Sequence, residues 1–153
     1  MARVIPIDRG AGADMPEPPT DGVSTLRVPP HSAEAEQAIL GAILQWPDEA
    51  IPAVSEVMIE DNLYRLEHRL IYGAALGLAG QGVQPDVITV FEALQQAGQA
   101  ENAGGLAYLN DLVNCVASAA NAGAYAGIVR QRALCRRLLQ VAVDLAGEAD
   151  RKS

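Results

Sequence analysis

From Ser118 to about Asp150 the chain contains no proline and only scattered glycines. A helix over that span would be roughly 45 Å long at 1.5 Å per residue, against about 30 Å for the diameter of a small domain. Its distal half is therefore expected to project from whatever globule the rest of the chain forms. Along that half, Leu134, Leu138, Val141 and Leu145 repeat at four-three-four spacing. An apolar seam of this kind is the candidate oligomer interface, because left in water it needs a partner helix. The competing reading, that the helix folds back and the four residues join a core, is weakened by the helix's length.

The remainder of the 153 residues, half of them apolar and few aromatic, predicts one all-α domain. A formal charge of −8 makes the chain as a whole repel a phosphate backbone, so direct nucleic-acid binding is disfavoured and a protein partner favoured. Only one lysine is present, Lys152. The one basic cluster, Arg130, Arg132, Arg136 and Arg137, reads either as a solvated helix face balanced by Asp144 and Glu148 or as a partner-binding patch. Cys115 and Cys135 are too few and too far apart for a zinc site or a disulfide framework, and both are expected to be buried free thiols in a reducing cytoplasm. The first residues lack the apolar run of a signal peptide or membrane span, which points to a cytoplasmic protein with no membrane partner.

Residues 1–27 are rich in Pro, Gly and Asp and are expected to form a disordered arm, residues 28–117 a helical head of about five helices, and residues 118–150 the long helix. Pro29-Pro30 stops preceding structure, and Ser32 is placed to cap a helix from about Ala33, with Glu34 and Glu36 in its first turn where the dipole favours negative charge. Ile39, Ala42, Ile43 and Trp46 keep helical spacing until Pro47. Between Asp48 and Val57, Pro52 allows only a short or broken helix. Leu66, Leu70, Ile71, Ala74, Ala75 and Leu78 line the face of a helix that stops at Gly80 and Gly82. Thr89 to Glu92 matches a capping box, with Ile88 and Ala93 as its hydrophobic staple, so the fourth helix is expected from about Val90 to Ala97. Leu106, Leu109, Leu112, Val113 and Val116 mark a fifth, and Ser118 is the expected cap of the long one. Ile43 and Leu70 are the expected core positions of the two clearest helices.

In order along the chain, Val28-Pro29-Pro30-His31-Ser32-Ala33-Glu34-Ala35-Glu36-Gln37-Ala38-Ile39-Leu40-Gly41, His68-Arg69-Leu70-Ile71-Tyr72, Asp86-Val87-Ile88-Thr89, Gly104-Gly105-Leu106-Ala107-Tyr108-Leu109 and Ser118-Ala119-Ala120-Asn121 resemble successive motifs of the N-terminal domain of bacterial replicative DNA helicases of the DnaB type. The resemblance covers about Val28 to Asp150. It implies an all-α head followed by one arm of a helical hairpin, with domains that pair through those hairpins and close into a ring collar. Two places depart from the pattern. Asn62-Leu63-Tyr64-Arg65-Leu66 keeps one aromatic and lacks a proline, and Val116-Ala117 stands where Thr-Pro is common. The latter leaves the break before the long helix resting on Ser118.

The resemblance implies a scaffold role, with self-association, primase as a docking partner and a helicase loader as a further candidate. The family's motor carries a phosphate-binding loop, Gly-x-x-x-x-Gly-Lys-Ser/Thr, and here the lysine stands in Arg151-Lys152-Ser153 with arginine at the glycine position. ATP and magnesium are thus expected only in a motor domain absent from these residues, which reads as a domain fragment or a freestanding paralogue. A freestanding adaptor or inhibitor acting on helicase rings is the alternative. No residue qualifies as catalytic, cofactor-binding or metal-binding. His68 beside Glu67 lacks a third group to orient it and is read as structural, as is His31 at the helix start, while Asp48-Glu49 and Glu60-Asp61 read as solvated acidic turns.

Overall fold

The computed structural model describes residues 28–152, and the arm expected over 1–27 lies outside them. Six α-helices make up the described fold: α1 (Ala33–Gln45), α2 (Pro47–Ser55), α3 (Leu66–Gly80), α4 (Val87–Gln96), α5 (Gly105–Asn114) and α6 (Ala122–Lys152), with a 3-10 turn at Glu60–Asn62. Among the described residues there is no strand, and no helix is long and apolar enough to cross a membrane.

Ser32 caps α1 as expected, its hydroxyl accepting from the Ala35 amide. The helix is less amphipathic than its spacing implies, because it forms the centre of the head and contacts α2, α3, α5 and α6. Ile39, Leu40, Ala42, Ile43 and Leu44 are all buried, so its second half is covered on every side. The α1–α5 crossing is so close that a Cβ on Gly41 would run into the carbonyl oxygen of Leu112. Across the same interface the Gln45 side-chain amide donates to the carbonyls of Val113 and Val116, tying up the open end of α5.

Several boundaries differ from expectation. α2 is the short helix expected, nine residues long, but it starts at Pro47, where a missing N–H costs nothing, and accepts Pro52 on its exposed side by forgoing one hydrogen bond. α4 begins three residues early. Asp86, not Thr89, is its N-cap: the Asp86 carboxylate accepts from the Thr89 amide while the Thr89 hydroxyl accepts from the Asp86 amide. The expected staple falls with that shift, and Ile88 is exposed. α6 begins at Ala122, not Ser118. The Ser118 hydroxyl instead accepts from the Ala120 amide, and residues 115–121 form a genuine break, so α5 and α6 do not merge.

The buried face of α3 is also rotated. His68, Ile71, Tyr72 and Ala75 are buried, Leu70, Ala74 and Leu78 only partly so, and Leu66 is exposed. Cys115 is exposed at the end of α5 and Cys135 is half-buried, so neither is the buried thiol the sequence led us to expect. The start of α5 needs Gly104 and Gly105, both with positive φ, and a Cβ on Gly104 would lie 2.8 Å from that of Tyr108.

α6 runs for 31 residues, about 46 Å. Ala122, Ala126, Val129 and Ala133 face the head and are buried; beyond Arg136 nearly every residue is exposed. Ile43 is fully enclosed whereas Leu70 is not, so Ile43→Ala is expected to cost about 2–5 kcal/mol, the range for emptying a core site, and Leu70→Ala distinctly less. Urea denaturation of the two variants checks the order; an equal loss would mean that the α3 face is packed as its spacing alone implied.

Candidate interaction surfaces

Leu134, Leu138, Val141 and Leu145 are 48%, 69%, 55% and 61% exposed. At 100° per residue they share a stripe about 60° wide. The head-facing residues of α6 lie about a third of a turn away, so the stripe points clear of the head. Few polar residues interrupt it.

The four arginines do not form one patch. Arg130 and Arg137 lie on the flank of the apolar stripe, whereas Arg132 and Arg136 point to the other side of the helix. Arg130, Arg132 and Arg137 are exposed. Arg136 is a clasp: its guanidinium donates to the carbonyl of Pro30 at 2.8 Å and of Asn62 at 2.7 Å, and lies 5.3 Å from the centre of the Tyr64 ring. Tyr64 in turn stacks on His31 with ring centres 4.2 Å apart, and His31 is held to the Pro29 carbonyl. Burial is what lowers the Arg136 guanidinium from its usual range, partly opposed by the Glu36 charge, and it remains a cation at neutral pH.

Behind the clasp lies a network that the sequence did not disclose. Glu36, 1% exposed, accepts at one oxygen from the Tyr64 amide (2.9 Å) and at the other from the Arg65 amide (3.4 Å) and His68 Nδ1 (2.8 Å). On its far side, His68 Nε2 meets the Tyr108 hydroxyl at 2.6 Å, and that hydroxyl also accepts from the Gln37 amide at 3.3 Å. A carboxylate only accepts, so Nδ1 carries the proton, and the Tyr108 O–H is free to donate to Nε2. Arg69 completes the cage by donating to the carbonyls of Leu63 and Tyr64. Every backbone polar group from the Asn62 carbonyl to the Arg65 amide, save the Leu63 amide held by the Glu60 carbonyl, is thus taken by a side chain.

Carboxylate, imidazole and hydroxyl in a row evoke nucleophilic catalysis. Here they cannot perform it. Glu36 and His68 are sealed from solvent, and burial pushes the Tyr108 hydroxyl up, away from the anion a nucleophile needs. Among the described residues no group of three or more His, Cys, Asp or Glu is placed to hold a metal ion. The network is structural, as the sequence suggested for His68, but through Glu36 rather than Glu67. The one signal that could have found it was a first-turn glutamate, Glu36, on the apolar side of α1, together with a His within a largely apolar helix.

For Glu36, burial acts to raise its carboxyl, but the His68 hydrogen bond, the Tyr64 amide, the His68 charge and the Arg65 amide outweigh it and hold the carboxyl below its ordinary value. The unfolded chain therefore binds the proton more tightly, so this stabilisation is complete above about pH 4.3, the unfolded value, and is lost as pH falls through the folded one. Glu36→Gln, whose NH2 must face either the Tyr64 amide or the Arg65 amide and His68 Nδ1, is expected to cost about 1.5–3 kcal/mol at neutral pH and to flatten the acid limb of the stability profile. Thermal melts of both proteins from neutral to acid pH test this, and parallel profiles would remove Glu36 from the account.

The sequence profile of the DnaB-like helicase N terminal domain matches residues 28–131. The replicative DNA helicase DnaC of Bacillus subtilis (strain 168) is 43% identical over 120 residues, which are 78% of this chain and 26% of that protein. The replicative DNA helicase DnaB of Geobacillus stearothermophilus is 42% identical over 120 residues, with the same shares. The chain thus spans about a quarter of the length of these curated relatives. The crystal structure of the N-terminal domain of DnaB helicase from Mycobacterium tuberculosis superposes with a TM-score of 0.78 at 37% identity, covering 82% of this chain and 87% of that one. With a profile match from the Pro29-Pro30 start through the clasped loop and into α6, and the same helical fold, the chain belongs to the DnaB-like helicase N-terminal domain family.

Proposed function

We propose that this chain serves as the collar domain of a replicative DNA helicase, holding subunits together in a ring and docking primase, with a helicase loader as a further partner, in the cytoplasm. The observation that carries the reading is the stripe of Leu134, Leu138, Val141 and Leu145, each about half exposed or more on a helix that leaves its own head. Packing such a stripe against another helix removes it from water at roughly 25 cal/mol per Å² of apolar surface. Family membership supports the ring and primase parts of the reading. Direct DNA binding is disfavoured by the charge of −8 and by the tying of Arg136 to backbone carbonyls. The same stripe also suits a freestanding adaptor that inserts into a helicase ring.

Replacing both Leu138 and Leu145 with Glu would put unpaired charge into any assembled seam while leaving it solvated in a monomer. Light scattering is expected to show loss of self-association with the melting temperature of the head unchanged, and a pull-down to show weakened primase capture. Full assembly with normal capture would overturn the seam; a monomer that still captures primase would leave only the adaptor. Nucleotide is expected to go unbound, since no glycine-rich loop with a following lysine is present to cradle phosphates. Saturable ATP binding at micromolar concentration, read by calorimetry, would contradict that.

A further inference from the structure

A groove of about 680 Å³ lies between α6 and the segments around Pro29 and Asp61. One wall is α6 from Ala133 to Val143; the other is built by Pro29, Ile59, Asp61 and Asn62. Its apolar lining is incompletely covered, Ile59 and Val143 being 63% and 60% exposed. On the α6 side it carries Arg137, exposed, and on the loop side Asp61, also exposed, and neither forms an ion pair among the described residues. The seam of Leu134, Leu138, Val141 and Leu145 lies on a neighbouring face of α6, and none of the four lines the groove, which meets the seam only at the flanking Arg137.

What sits at its mouth narrows the choice of occupant. Pro29 is part of the wall and the Pro30 carbonyl is fastened to Arg136, so the chain preceding Val28 is tethered at the groove. Those residues are Asp21-Gly22-Val23-Ser24-Thr25-Leu26-Arg27. They supply two apolar side chains, Val23 and Leu26, for an apolar lining. They also supply a carboxylate, Asp21, for Arg137 and a guanidinium, Arg27, for Asp61. Length agrees as well: the α6 wall rises about 15 Å over ten residues, and five extended residues reach about 16 Å. We propose that the segment Asp21–Arg27 of the same chain docks in this groove. Tethering at Pro29 gives it an effective concentration of about 1 mM, enough to keep even a contact with an intrinsic Kd of about 0.1 mM mostly formed.

Trypsin reads the docking in the full chain, because the bond after Arg27 is protected when the segment is seated while that after Arg9 serves as an internal reference. Val143→Asp and Ile59→Asp on the groove, and Leu26→Asp on the segment, are each expected to speed cleavage after Arg27 by about tenfold, the protection that such a tether provides, with cleavage after Arg9 unchanged. The Ile59 and Val143 side chains lie outside the buried core of the described head, so circular dichroism melts of the variants are expected to coincide with wild type. In parallel, the methyl resonances of Leu139 and Val143 are expected to shift between wild type and Leu26→Asp. Cleavage after Arg27 at the same rate in wild type and all variants, with unmoved methyl resonances, would overturn the proposal. Protection that grows with protein concentration would also overturn it, since the segment would then come from a second copy.

Discussion

A single buried carboxylate holds the head together. Glu36 sits in the first turn of α1 with two oxygens and no solvent, and three donors from two other parts of the chain converge on it: the Tyr64 and Arg65 amides and the His68 ring. A buried charge without such partners is untenable, because desolvation alone costs several kcal/mol. Its presence therefore dictates that the loop before α3 turn its amides inward and that α3 present His68 there. His68 then needs a partner for its second nitrogen, and Tyr108 on α5 provides one. From one acid the positions of α1, α3, α5 and the connecting loop follow.

That loop is also where the projecting helix is rooted. Its amides are spent on Glu36, so its carbonyls point the other way, and Arg136 and Arg69 take three in succession. Arg136 reaches back as well to Pro30, at the foot of α1. A planar guanidinium suits this task because its fixed fork satisfies two carbonyls at once and its face lies on Tyr64. The clasp fixes α6 to the loop and to the foot of α1; beyond it nearly every residue of the helix is exposed, so its direction is set largely at this root. If the exposed stripe joins subunits as proposed, the angle at which it is offered depends on the clasp.

Small residues do the complementary work. Gly41 lets α1 come so near α5 that the Leu112 carbonyl lies where a Cβ would be, and Ala122, Ala126 and Ala133 let α6 lie close on the head. The head has few aromatics and fills its interior with Ala, Ile and Leu at short interhelical distances. The one aromatic hydroxyl engaged in the network, on Tyr108, is raised by burial and so keeps its proton for His68.

What the sequence determined by itself was local. The Ser32 cap, the span of α1, the stop of α3 at its glycines, the length of α6 and its exposed four-three-four stripe all depend on residues within a few turns of one another, and periodicity and capping chemistry report such things directly. Some local signals misled: Thr89 read as a cap, but reciprocal bonding with Asp86 makes Asp86 the cap; Ser118 looked like a start, but the helix waits until Ala122. The tertiary structure decided everything that joins distant positions. Glu36 reads as a helix-dipole charge and Arg136 as one of four basic residues, until folding brings 28 residues of separation to 2.9 Å in one case and 106 to 2.8 Å in the other. Burial reverses the meaning of a charged side chain, turning a solvated group into one that must be fully paired, and burial is a property of the packed helices, not of any stretch of chain.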